Sequence, residues 1–265
     1  MNTWIAALLW PLSRILGLIS ASPLFGNNSF PLSSKVGLSV MLALIIAPTV
    51  PALPAADPMS MAGLMIVVQE MLIGLAMGFS MRIVFAAVEM AGEVTSMTMG
   101  LGFATVFDPQ SRGRSSAVSQ FIALLATMAF LAVNGHLVLL EVLAESFTAL
   151  PISATPVSSS LPLQVARWGS IIFSTGVQLS LPIVAALLIT TVALGILTRA
   201  APQLNIFGIG FPISLGVGII MLGQIIPYLD TPLQNLFNEG MEASRKIVRM
   251  GAERGVPVAP RAPAR

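Results

Sequence analysis

Residues Met61–Val88 read MAGLMIVVQEMLIGLAMGFSMRIVFAAV, an apolar run broken only by the charges of Glu70 and Arg82. About 20 mostly apolar residues cross the hydrocarbon of a bilayer as a helix. This run is longer than that, and it lacks the alternation of polar and apolar residues that a membrane β-barrel strand would show. Inside lipid the backbone N–H and C=O groups have no water to bond, so an apolar run of this length must satisfy them within a helix. The stretch therefore predicts an all-α membrane protein.

The rest of the chain agrees. Of its 265 residues 55% are hydrophobic and only 9% charged, against about 25% charged in soluble domains. Too few charges remain to cover a water-facing surface, so the surroundings are lipid or the apolar surfaces of partner subunits. Further apolar windows run over Trp4–Ser22 (carrying Arg14), Val36–Val50, Ser115–Leu140, Trp168–Leu197 and Ile206–Leu229. The first lacks a positively charged start and is interrupted by Arg14, so Met1–Ser22 is expected to be a retained membrane helix rather than a signal peptide. Loops are predicted at Pro23–Asn28, Ala52–Pro58 and Ser153–Pro162, where turn-forming residues cluster.

From Leu233 the character changes. Leu236, Phe237, Met241, Ile247 and Val248 recur at helical spacing, with Glu239, Glu242, Arg245, Lys246 and Arg249 between them. This predicts an amphipathic helix at an interface, with Glu242 and Lys246 as an i,i+4 pair. Residues 255–265, rich in proline, alanine and arginine, are predicted to be disordered. The cluster of basic residues at this end predicts a cytoplasmic C-terminus.

Several function classes are disfavoured by composition. The chain has no cysteine, so thiolate zinc and iron–sulfur sites are excluded, and its one histidine, His136, cannot build a histidine-rich metal site. No cofactor is expected. No phosphate-binding glycine loop, zinc-hydrolase motif or serine-nucleophile elbow occurs, which disfavours an enzyme. The basic residues form no dense patch with aromatics, so no nucleic acid is expected as a partner.

Two features invite a functional reading. Gly100-Leu101-Gly102-Phe103-Ala104-Thr105-Val106-Phe107-Asp108-Pro109 interrupts an otherwise helical apolar region. It is either a pore-lining or pore-blocking loop, with Phe103 and Phe107 as apolar stoppers, or a connector at the membrane surface. Arg82, Glu89 and Glu93 fall on one face of a predicted helix. They form a proton or ion relay, or they mark where the helix leaves the hydrocarbon, or they pair structurally, with one another or with a neighbouring subunit. Glu70 is isolated on the same segment and needs a partner from elsewhere. Gly74 and Gly78 have the spacing that lets helices approach closely. Met90, Met97 and Met99 precede the glycine–phenylalanine loop, as filler or as an adaptable seal.

Taken together, the chain resembles the FliR family of the bacterial flagellar type III export gate. The resemblance rests on Trp10-Pro11 with Arg14, on Ala21-Ser22-Pro23, and on Ile45-Ile46-Ala47-Pro48. It continues through Gln69-Glu70-Met71-Leu72-Ile73-Gly74, the Gly100–Pro109 segment, Asn134-Gly135-His136, Arg199–Phe207 and Gly210-Phe211-Pro212. It implies kinked helical hairpins assembling into a helical export-gate complex in the inner membrane, at the flagellar basal body. Residues 1–160 would be a FliP-like region, 161–232 a FliQ-like hairpin, and 233–254 the amphipathic helix. Partners would be FliP and FliQ, with this chain in single copy, then FlhB, FlhA, the MS ring and unfolded export substrates. The resemblance makes residues 100–114 the plug of the closed pore, with Gly100, Gly102, Phe103, Phe107, Asp108 and Pro109 as its core. Arg199, Pro202 and Gln203 would form the hairpin tip. The competing readings are an injectisome subunit of the same fold and a secondary transporter using Glu70, Arg82, Glu89 and Glu93.

Overall fold

The protein is described here from a computed structural model covering residues 2–27, 29–51, 53–54, 56–103, 116–155, 161–201 and 206–252. Among these residues there is no strand. The helices are α1 (Asn2–Ala21), α2 (Leu32–Ile46), α3 (Met61–Thr98), α4 (Ala117–Ala132) and α5 (Gly135–Ala149). They continue with α6 (Leu161–Trp168), α7 (Ile171–Ala200), α8 (Ile206–Ile225) and α9 (Asp230–Ala252). The tail at residues 255–265 lies outside the described residues.

Four helical stretches are long and apolar enough to cross a membrane, Leu32–Thr49, Met61–Thr98, Pro162–Ala200 and Gly208–Tyr228. The pair α4 and α5 would add a fifth as one bent span. The chain is an all-α membrane protein. At 38 residues, α3 is about 57 Å long, well beyond the roughly 30 Å of a hydrocarbon core.

Two expectations need correction. The window Ser115–Leu140 is not one helix. It breaks between α4 and α5 with a bend of 65°, because Asn134 takes a left-handed φ of 55°. Asparagine tolerates that region better than other residues with a Cβ. Gly135, next in line, is so close to the Phe130 ring that a Cβ would collide with it. The window Trp4–Ser22 forms α1, 20 residues long. Trp10, Arg14, Ile15 and Leu18 on it have no exposed surface at all. It is a core helix. Lastly, the apolar stripe of α9 lies buried within the chain at Leu233, Leu236, Phe237, Met241, Ile247 and Val248, instead of facing an interface. Its ion pair among the described residues is Arg245 with Glu145 at 3.5 Å, not Glu242 with Lys246.

The chain packs as two compact units. The first comprises residues 1–81, 137–168 and 241–265, the second residues 82–136 and 169–240. In the first unit α1 lies directly on α3. Gly74 faces the Arg14 carbonyl and Gly78 the Leu18 carbonyl, where a Cβ on Gly78 would stand 2.6 Å from that oxygen. Gly17 answers from α1 by touching the Met71 carbonyl. The glycine pair read from the sequence thus brings two backbones together, as small residues do between membrane helices. In the second unit three rings form the centre of the core. Phe85 meets Phe130 edge-on at 5.6 Å, Phe130 meets Phe237 edge-on at 5.2 Å, and Phe85 stacks on Phe237 at 5.8 Å. These offsets are the favoured aromatic geometries.

Candidate functional site

The glycine–phenylalanine segment begins at the C-terminal end of α3, in the second unit. Gly100 has φ of 87°, which ends the helix in a conformation that only glycine adopts without strain. A 3₁₀ turn, Leu101–Phe103, follows, and both Leu101 and Gly102 are half-buried. The residue before the turn of direction is held firmly. Met99 is buried to 1% exposure, and its side chain fills the space in front of Gly218 on α8, where a Cβ would lie 2.6 Å from the Met99 methyl. Met90, about two and a half turns earlier on α3, packs in the same way against Gly176 on α7. Two of the methionines preceding the loop therefore seat the end of α3 on the α7–α8 hairpin.

The far side of the segment is tied to the same helix. The Ser116 backbone N–H donates to the Glu93 carboxylate at 3.1 Å. Ser116 also caps α4, its hydroxyl accepting from the Ser119 N–H at 3.2 Å. The Ser119 hydroxyl in turn donates to the Glu89 carbonyl at 2.8 Å. Gly92 allows this approach, since a Cβ there would stand 2.5 Å from the Ser119 Cα. Both ends of residues 104–115 thus start from the last turns of α3. Phe107, Asp108 and Pro109 lie outside the described residues.

Glu93 therefore has a structural partner, while Arg82 and Glu89 present exposed side chains. Among the described residues no ion pair links Arg82, Glu89 and Glu93 to one another. Arg199 is exposed in the last turn of α7. Pro202 and Gln203 of the expected hairpin tip lie outside the described residues. No cluster of three or more metal-ligating side chains occurs among the described residues.

Glu70 is answered from within the chain, by a residue not singled out as its partner from sequence. In the first unit Arg14 of α1 and Glu70 of α3 are both fully buried, and Nη2 and Oε2 lie 2.6 Å apart. The Arg14 Nε also donates to Oε2 at 2.6 Å. Nη1 donates to the Ser146 carbonyl at 2.9 Å and its hydroxyl at 3.1 Å, and Nη2 to the Leu150 carbonyl at 3.0 Å. The guanidinium carbon lies 4.4 Å from the centre of the Phe147 ring, within cation–π range. One side chain thereby ties α1, α3 and the C-terminal end of α5. The available signal was two opposite charges in two apolar windows, since charges buried in a membrane protein pair with one another.

Residues 5–240 match the family "Bacterial export proteins, family 1". The chain is 44% identical over 239 residues to flagellar biosynthetic protein FliR of Pectobacterium carotovorum subsp. carotovorum, covering 90% of this chain and 91% of the relative. It is 41% identical over 237 residues to the FliR of Escherichia coli strain K12, with 89% and 90% covered. Against the FliR of Bacillus subtilis strain 168 the identity is 30% over 240 residues, with 89% and 92% covered.

Proposed function

The chain belongs to the family Bacterial export proteins, family 1, and from that membership we propose that it is a subunit of the flagellar type III export gate. It acts as a structural component of the flagellar export apparatus and not as an enzyme. With FliP and FliQ, and as a single copy, it builds the conduit through which unfolded flagellar substrates leave across the inner membrane. FlhB, FlhA and the MS ring are the neighbours of that assembly, and the C-terminus lies on the cytoplasmic side. Residues 1–160 serve as the FliP-like part and 161–232 as the FliQ-like hairpin.

Two features support the reading. Only 11% of the most apolar window is buried in each of the stretches Pro162–Ala200 and Gly208–Tyr228. Large side chains such as Phe173, Leu188, Ile189, Val192 and Ile220 stand exposed. Such faces require lipid or partner subunits. The second feature is the geometric one that carries the plug: both ends of residues 104–115 are pinned to α3, by Met99 and Gly100 on one side and by Glu93 on the other. Phe103 and Phe107 would close the conduit by excluding water and ions without bonds that resist opening.

The test is native mass spectrometry of the tagged chain co-expressed with its genomic neighbours and extracted in mild detergent. One copy bound to several copies of two small hydrophobic partners is the expected result. A partnerless monomer or homodimer would overturn the assignment.

A further inference from the structure

Between α6 (Leu161–Trp168) and the C-terminal half of α9 (Asp230–Ala252), in the first unit, lies an open cavity of about 220 Å³. Its polar lining is Arg167, Lys246 and Gln164, with no carboxylate among the described residues. Both cations are exposed, and among the described residues neither takes part in an ion pair or a side-chain hydrogen bond. Arg245, by contrast, the residue next to Lys246, is already paired with Glu145. The opposite wall is apolar, built from Trp168, Ile247 and Met250. The Trp168 indole N–H donates to the Ser80 carbonyl at 3.1 Å, which fixes the ring's orientation.

Position decides what such a cavity is suited to hold. Gln164, Arg167 and Trp168 stand in the first turns of Pro162–Ala200, an apolar stretch long enough to span a bilayer. Tryptophan and arginine at the end of a span mark the water–lipid boundary. Two cations without an ion-pair partner among the described residues, beside an apolar wall at that level, match a phosphate joined to hydrocarbon. Basic pockets between membrane helices hold anionic headgroups on this principle.

We propose that this cavity is a binding site for the headgroup of an anionic phospholipid. The phosphate sits between Arg167 and Lys246, the amide of Gln164 bonds the glycerol oxygens, and the first methylenes lie on Trp168 and Ile247. The inference needs the chain to be in a membrane but does not depend on its being an export-gate subunit.

The experiment uses the full chain, stripped of lipid in detergent and given back phosphatidylglycerol or phosphatidylcholine, with bound lipid counted by native mass spectrometry. One phosphatidylglycerol and no phosphatidylcholine should be retained. Arg167→Gln with Lys246→Gln should lower retention roughly tenfold or more, whereas Arg249→Gln, exposed on α9 outside the cavity, should leave it unchanged. Equal retention by the double variant, equal binding of phosphatidylcholine, or displacement of the lipid by millimolar glycerol phosphate would each overturn the proposal. If the double variant fails to fold, brominated phosphatidylglycerol decides with the unaltered chain. Saturable quenching of tryptophan emission, abolished by Trp168→Phe, supports the site, and lack of quenching overturns it.

Discussion

Arg14 and Glu70, 56 residues apart in sequence, meet at 2.6 Å with neither side chain exposed. Every donor-bearing nitrogen of the guanidinium also finds an acceptor, at Glu70, Ser146 or Leu150. A buried charge is tolerable on these terms, because desolvation is offset by a partner and a full set of hydrogen bonds. The pair is a joint between helices.

Removing one member strands the other. Glu70→Ala or Arg14→Ala should destabilise the chain by about 3–5 kcal/mol. The double change Arg14→Met, Glu70→Met should cost clearly less, since no lone charge remains. Thermal unfolding of the detergent-purified protein measures both, and a double variant as unstable as the worse single one would contradict the joint.

Gly74 and Gly37 make a matched contrast. A Cβ at Gly74 enters the Arg14 carbonyl, whereas nothing lies within 4 Å of one at Gly37 on α2. Gly74→Ala should force α1 from α3 at a cost of about 1–3 kcal/mol. Gly37→Ala should be neutral or stabilising by up to about 1 kcal/mol, from helix propensity. Unfolding temperatures of the two variants report the difference.

At the break between α4 and α5, Asn134 holds φ of 55°. Asn134→Gly should be tolerated, while Asn134→Val should cost about 1–2 kcal/mol, because a β-branched side chain resists the left-handed region. Protease resistance of the region around residue 134 would track the loss.

For the proposed plug, deleting residues 102–114 should leave the assembly intact but leak ions. Glu93→Ala, which removes only the tether to Ser116, should leak less. Gly218→Leu, which displaces Met99, should loosen the other anchor. Single-channel conductance of the purified assembly in a planar bilayer is the measurement. Unchanged conductance on deletion would remove the plug.

The helical class, the loop at Gly100 and the close-packing glycines Gly74 and Gly78 were all readable in the sequence. Each is a local property: apolar run length sets the helix, a glycine pair ends or narrows it, and neighbours only refine the outcome. The apolar stripe of α9 was readable as well, but not what covers it. Residues 104–115 and 202–205, on which much of the expected plug and hairpin tip falls, lie outside the described residues.

Sequence by itself determined that this chain is helical, membrane-embedded and poor in catalytic groups, because those follow from composition and from periodicities a few residues long. Tertiary structure alone decided that Arg14 answers Glu70 and that Glu93 ties Ser116. Those outcomes depend on contacts between segments 23 to 136 residues apart. Which partner a buried charge finds is set by the packing of whole helices, and no local pattern encodes it.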